Sequence, residues 1–277
     1  MLVNLFTVAG RCLHCMDVGR KLEMAHRLHE DWRRGRLRLD REVPPAGPPL
    51  AGRPRLPELV NPSRLAQRRI GKPEGQAALI HAVAHIEFNA INLACDAVYR
   101  FRAMPEAYYA DWVRVAAEEA YHFTLLQARL RQLGHAYGDF AAHNGLWDLA
   151  VRTAHDPLLR MALVPRVMEA RGLDVTPGMI QRFAAIGDRQ TVAALEIILR
   201  DEVGHVEAGS RWFRYLCERR GLQPEATYFE LLEQHLGSAV RCPLHRAARR
   251  EAGFSESELE RLEALCERRP EHAPRSR

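Results

Sequence analysis

The chain has 277 residues, with 40 Lys+Arg against 35 Asp+Glu for a formal charge of +5, and is 47% hydrophobic and 27% charged. That length suits two ordinary domains or one large helical one, and the composition excludes a disordered chain. So small a basic excess falls well short of a dedicated nucleic-acid coat.

The opening MLVNLFTVAGRC is broken too early by Gly10 and Arg11 to read as a signal peptide, and charges interrupt the helix-like stretches, so no membrane span is expected. Six cysteines in a chain of this length suggest reduced thiols and a cytoplasmic location. Residues 12–37 are expected to be helical, with Met16, Leu22, Ala25 and Leu28 among many charges. Residues 39–62 then hold seven of the sixteen prolines, a density that blocks helix and central strand and predicts an extended wrap.

From about residue 73 to 221 the pattern is helical almost throughout, predicting an all-α body. One helix is expected from Pro73 to Met104, and a second from Pro105 to the stop at Gly134. Asp156-Pro157 reads as a third start closed by Gly172, and Thr176-Pro177 as a further start, the helical pattern then running to Gly221 with a bend near Gly187. The connection 134–156 has room for a helix of its own. Ser255-Glu-Ser-Glu258 resembles a capping box that opens a short C-terminal helix, followed by a loose tail. Two tight helical pairs joined by one long connection is the topology of a four-helix bundle of ferritin-like type. The expected division is residues 1–72 as N-terminal helix and wrap, 73–221 as bundle, and 222–277 as C-terminal extension.

Glu119-Ala-Tyr-His122 and Glu202-Val-Gly-His205 are both Glu-x-x-His, which places acid and imidazole on one side of a helix. That spacing arises about once by chance with 24 glutamates and 13 histidines in 277 positions, so it needs support. The support is Glu87, 32 residues before Glu119, and Glu169, 33 residues before Glu202, each on the partner helix of its pair. Glu, then Glu-x-x-His, twice over, is the ligand order of a carboxylate-bridged dinuclear centre. Apolar flanks (Ile80, Val83, Ala84 and Ile91 around Glu87; Trp112, Val115 and Phe123 around Glu119; Leu195, Ile198 and Val206 around Glu202) predict burial. Four buried carboxylates are prohibitive without cations, and two divalent ions balance them. Pro165 is expected to bend the helix just before Glu169.

This order resembles the ferritin-like di-iron carboxylate superfamily. More narrowly, GRPRLPELVNP at 52–62, EGQAALIHAVAHIEFNAINLACDAVYRF at 74–101 and MEARGLDVTP at 168–177 look like an uncharacterised bacterial family of ferritin-like proteins, over roughly residues 52–255. The Glu169 segment is also loosely similar to tRNA-hydroxylating di-iron monooxygenases. The resemblance implies a fold and a metal site with Glu87, Glu119, His122, Glu169, Glu202 and His205 as ligands, but no particular reaction. In other superfamily members an Asp before the ligating glutamate holds a ligating histidine. That implies such a role for Asp201, and for Glu118 at the matching position of the first repeat.

Oxygen donors with two imidazoles and no thiolate favour iron or manganese. The leading reading is therefore a di-iron (or iron–manganese) oxidoreductase, a hydroxylase or oxidase that takes O2 as co-substrate, an organic substrate and an external electron donor. The alternatives are a ferroxidase or iron-handling protein, and a non-catalytic bundle that binds an acidic partner such as RNA through WRRGRLRLDR at 32–41 and RAARRE at 246–251. Cys12-Leu-His-Cys15 is a lone C-x-x-C that would need Cys242 and His245 to complete a zinc site. Tyr121 is expected to face away from the ligands, and His81 and His85 to pack beside them rather than ligate.

Overall fold

The computed structural model describes residues 2–42, 50–65, 70–236 and 240–267. It is almost wholly helical, as expected, with one two-stranded parallel pairing, Val3–Asn4 (β1) with Leu37–Arg38 (β2). The chain forms two compact units, Met1–Pro157 with Met179–Ile198, and Leu158–Gly178 with Leu199–Arg277.

In the first unit the N-terminal helix expected over 12–37 is two helices, α1 (Leu5–His14) and α2 (Val18–Arg33). Leu5, Phe6, Ala9, Cys12 and Leu13 form a buried face at helical spacing. Asn4 caps α1 by accepting from the Phe6 amide at 3.1 Å, and Asp17 caps α2 by accepting from the Arg20 amide at 2.8 Å. The fully buried Lys21 fastens both helices to α3 (Pro73–Arg100): its Nζ donates to the Leu13 carbonyl at 2.9 Å and to Asn92. Burial holds its ammonium below the usual lysine range.

α3 packs along α4 (Glu106–Gln132), while α1 lies on α3 and α2 on α4. α3 is long and apolar enough to cross a membrane, yet most of its apolar stretch is buried within the protein, as in a core helix. It ends at Arg100, one turn before the expected Met104. α4 stops where Gly134 turns left-handed at φ +77. The connection holds α5 (Gly145–Arg152).

Of the proline-rich wrap, residues 50–61 run without helix; Pro44, Pro45, Pro48 and Pro49 lie outside the described residues. At one end Gly52 donates to the Leu13 carbonyl at 2.8 Å, and a Cβ there would meet the His14 carbonyl oxygen at 2.2 Å, so only glycine fits. At the other, Leu59 bridges Ala142, with the Val60 amide donating to the Ala142 carbonyl at 2.8 Å.

The third and fourth rods depart from expectation. Neither Gly172 nor Thr176-Pro177 breaks the chain. α6 (Pro157–Leu163), a π-helical turn (Val164–Glu169) and α7 (Ala170–Ala185) follow without interruption. The true stop is Gly187 at φ +76, after which Asp188 caps α8 (Arg189–Arg219) by accepting from the Thr191 amide at 3.0 Å. Packing along the whole rod overrides the local stop signals.

In the second unit Leu158–Gly178 and Leu199–Arg219 run against each other through two glycines. A Cβ on Gly209 would lie 2.3 Å from Cβ and Cγ of Pro165, and one on Gly172 would meet Cγ of Glu202 at 3.7 Å. α9 (Pro224–Leu236), which the sequence pattern did not announce, α10 (Arg246–Glu251) and α11 (Glu256–Glu267) complete this unit. The capping box at α11 forms as expected: the Glu258 amide donates to Ser255 Oγ at 3.0 Å, and the Ser255 amide to the Glu258 carboxylate at 2.9 Å. Cys242 and Cys266 are joined in a disulfide, so the expectation of six reduced thiols fails for this pair; Cys12, Cys15, Cys95 and Cys217 are free. The tail beyond Glu267 lies outside the described residues.

Replacing Gly209 by Ala should lower stability by about 1–3 kcal/mol, because the added methyl has no room beside the stiff Pro165 ring. Thermal or denaturant unfolding of the variant checks this, with Gly71→Ala, where nothing lies within 4 Å, as the control expected to change little.

Candidate metal centre

α3 and α4 bring Glu87, Glu119 and His122 together in the first unit, all three buried. His122 Nδ1 lies 3.2 Å from Glu87 Oε2 and 3.4 Å from Glu119 Oε2, and the three residues offer ligand atoms within 4.8 Å of one another. The apolar flanks expected to bury them do so: Ile80, Ala84 and Ile91 on α3, and Val115, Ala116 and Phe123 on α4, lie in the core. Burial, and then the negative charge of Glu119, hold the Glu87 carboxyl well above the usual carboxylate range, while His122 pulls the other way.

The second unit holds a like acid–imidazole pair. Glu202 Oε2 lies 3.1 Å from His205 Nδ1, with both residues buried. Glu169, also buried, closes the π-helical turn that contains Pro165. Pro165 meets Gly209 and Gly172 meets Glu202, so the two segments run antiparallel. Glu169 stands four residues after Pro165 and three before Gly172, and His205 divides Gly209 and Glu202 in the same way; the register therefore sets Glu169 level with His205. Gly172, one turn beyond Glu169, thus lies beside the Glu202 side chain, where an added Cβ would meet it at ordinary contact distance. The bend expected at Pro165 is a widened turn, of the kind frequent at functional sites.

The C-terminal helices clamp this turn. Arg166, 1% exposed, donates to the Glu258 carboxylate at 2.7 Å. Its guanidinium carbon lies 4.2, 4.5 and 5.1 Å from the ring centroids of Tyr228, Phe254 and Phe213. Tyr228 donates to the Arg166 carbonyl at 3.2 Å. On the following turns Asp174 accepts both Nε and a terminal nitrogen of Arg249, at 2.9 and 2.7 Å, and the His245 amide at 2.9 Å. Sequence reasoning missed this clamp; the signal was Arg166 following a stretch, Leu158 to Val164, that is apolar but for Arg160.

The remaining candidates separate cleanly. Asp201 accepts from Arg200 Nε at 2.9 Å, and Glu118 from Arg114 at 2.8 Å. A further Glu-x-x-His, Glu23 with His26, lies exposed on α2, so burial and not spacing marks the other two. Tyr121 is 44% exposed and faces outward, as expected. His81 accepts from the Gly138 amide at 2.9 Å and stacks on Tyr137, while His85 Nδ1 pairs with the Tyr137 hydroxyl at 2.8 Å; both hold the loop after α4. Cys242 is committed to its disulfide and His245 Nδ1 to capping α10 at the Ala248 amide, which removes two donors of the zinc site considered with Cys12 and Cys15. In the two arginine-rich stretches, Arg36 pairs with Asp31, Arg38 with Asp40, and Arg246 and Arg250 with Glu256.

A family model described as a protein of unknown function, DUF455, matches residues 14–260, a longer span at both ends than the resemblance read over 52–255. An uncharacterized protein of Haemophilus influenzae is 47% identical over 218 residues, 76% of each chain. No solved structure matches the chain.

Glu258→Ala should cost about 3–5 kcal/mol by leaving the Arg166 charge buried without its carboxylate. An Arg166→Met, Glu258→Leu double variant should recover much of that loss, because it removes both charges together. Denaturant unfolding of the single and double variants measures the difference.

Proposed function

We propose a metal-dependent redox function for this chain, which belongs to the DUF455 family of proteins of unknown function. In this reading α3, α4, the π-interrupted rod and α8 are the four rods of a ferritin-like bundle. Glu87, Glu119, His122, Glu169, Glu202 and His205 share one dinuclear centre within it. The observation that carries the reading is the buried meeting of Glu87, Glu119 and His122, matched by Glu202 with His205.

The donor set fits the metals it implies. Four carboxylates balance two divalent ions, and oxygen with imidazole donors and no thiolate favours iron, or iron with manganese, over structural zinc. α4 and α8 each offer Glu and His three residues apart, and the other two rods one Glu each, so ligand positions are fixed by helix geometry and not by loops. In this reading Asp201 and Glu118, which accept from Arg200 and Arg114, would also accept from the ligating imidazoles and orient them. Such a centre, loaded with Fe(II), supplies O2 activation, for hydroxylation or oxidation of an organic substrate with electrons from an external donor. The chain's own residues supply a water-poor site: Val115, Ala116, Phe123 and Val206 are all essentially inaccessible. Four of the six cysteines are free thiols, which favours a reducing, cytoplasmic setting, while the Cys242–Cys266 disulfide counts the other way.

A ferroxidase would use the same six ligands. The extra α1–α2 layer and the C-terminal helices are more than a minimal storage bundle needs, and so favour a substrate other than iron itself. The internal pairing of Arg36, Arg38, Arg246 and Arg250 weighs against an RNA-binding bundle.

Protein purified without chelator should hold close to two iron or manganese ions per chain, the number of metals that such ligand sets bind. Glu119→Ala and Glu202→Ala should each remove them. Metal content unchanged in both variants sinks the proposal, and elemental analysis decides it.

A further inference from the structure

Arg102, just beyond the end of α3 in the first unit, is a half-buried guanidinium with no acid in pairing contact among the described residues. Its Nε donates to the Tyr99 carbonyl at 3.0 Å, and its guanidinium carbon lies 4.9 Å from the ring centroid of Phe6 and 5.3 Å from that of Tyr99. These contacts hold the group in place but leave both terminal nitrogens unused: Nη1 is buried with no hydrogen-bond partner, and Nη2 donates to no described residue. The carboxylate that acts on it is Asp40, which stands beyond ion-pair distance and faces Arg38 at 3.4 Å. Arg100, two residues earlier, shows the ordinary arrangement, with Asp96 at 2.7 Å.

Arg102 lines a cavity of about 870 Å³, within the range of about 300–1,000 Å³ typical of small-molecule sites. Arg11 and Arg20 line it too, neither of them in an ion pair among the described residues. The acid at its wall is Asp17, whose carboxylate caps α2 by accepting from the Arg20 amide at 2.8 Å. Three guanidiniums against one carboxylate leave this lining with two positive charges. Such a concave surface of one sign draws anions from a distance, without contact between Arg11 or Arg20 and the ligand. Met24 and Tyr99 add apolar surface beside the charges.

We propose that this cavity binds a small organic phosphate, with the phosphate on the two terminal nitrogens of Arg102 and the organic body against Met24 and Tyr99. A doubly charged phosphate monoester matches the two positive charges of the lining, and its oxygens match the guanidinium fork that the fold holds ready. The proposal stands apart from the metal reading, since none of the six metal ligands lines the cavity.

Titration calorimetry of the full chain with phenyl phosphate and phenol tests it, near pH 8, where a phosphate monoester is doubly charged, before and after chelator treatment. Phenyl phosphate should bind about tenfold or more tightly than phenol, with or without metal. Arg102→Met, which keeps an apolar stem on Phe6 but removes the fork, should weaken phenyl phosphate about tenfold or more. The Arg11→Ser, Arg20→Ser double variant, at two exposed positions, should weaken it at low salt, lose that difference at high salt, and leave the unfolding transition in place. Phenyl phosphate failing to bind, binding no better than phenol, or binding unchanged in Arg102→Met would each overturn the assignment. Should Arg102→Met not fold, unchanged low-salt binding in the double variant overturns it instead. Loss of metal content with phenyl phosphate binding intact would overturn the metal reading alone.

Discussion

Burying carboxylates sets the terms for this protein. A charged acid taken out of water costs several kcal/mol unless an opposite charge accompanies it. Where the chain solves this internally, it uses arginine: Asp96 faces Arg100, Asp174 faces Arg249 and Glu258 faces Arg166, each at 2.7 Å. Glu87 and Glu202 are different, because the groups set against their carboxylates are His122 and His205. An imidazole is a metal donor as readily as a counter-ion, whereas a guanidinium cannot ligate. The choice of partner separates acids that hold the fold from acids that can hold an ion.

The surrounding structure is organised to keep these groups in register. In the first unit α3 and α4 meet along a seam of small and apolar residues, and the α1–α2 layer is fastened to α3 through the buried Lys21. In the second, the Pro165–Gly209 and Gly172–Glu202 contacts set one rod against the other within a fraction of a turn. A π-helical turn is a weak place in a rod, since its hydrogen bonds are stretched to a wider ring. Here the turn is gripped by Arg166 inside its cage of Tyr228, Phe213 and Phe254, so that α9 and α11 brace the turn that carries Glu169. The C-terminal extension is therefore part of the architecture of the candidate centre.

Much of this was legible in the residues. Helical period gave α3 and α4 nearly to their ends, because Pro73, Pro105 and Gly134 act locally. The burial of the six candidate ligands was legible, because their apolar flanks mark them as core positions on their helices. The failures share a cause: a residue whose role is tertiary was read as punctuation. Gly172 looked like a helix end but lies inside α7 beside Glu202, and Pro177 sits inside α7 because packing outweighs its missing hydrogen bond. The α1 helix was overlooked although Leu5, Phe6, Ala9, Cys12 and Leu13 carry the spacing of a buried face. The Cys242–Cys266 disulfide had no local signature at all, since a separation of 24 residues says nothing about where the chain returns.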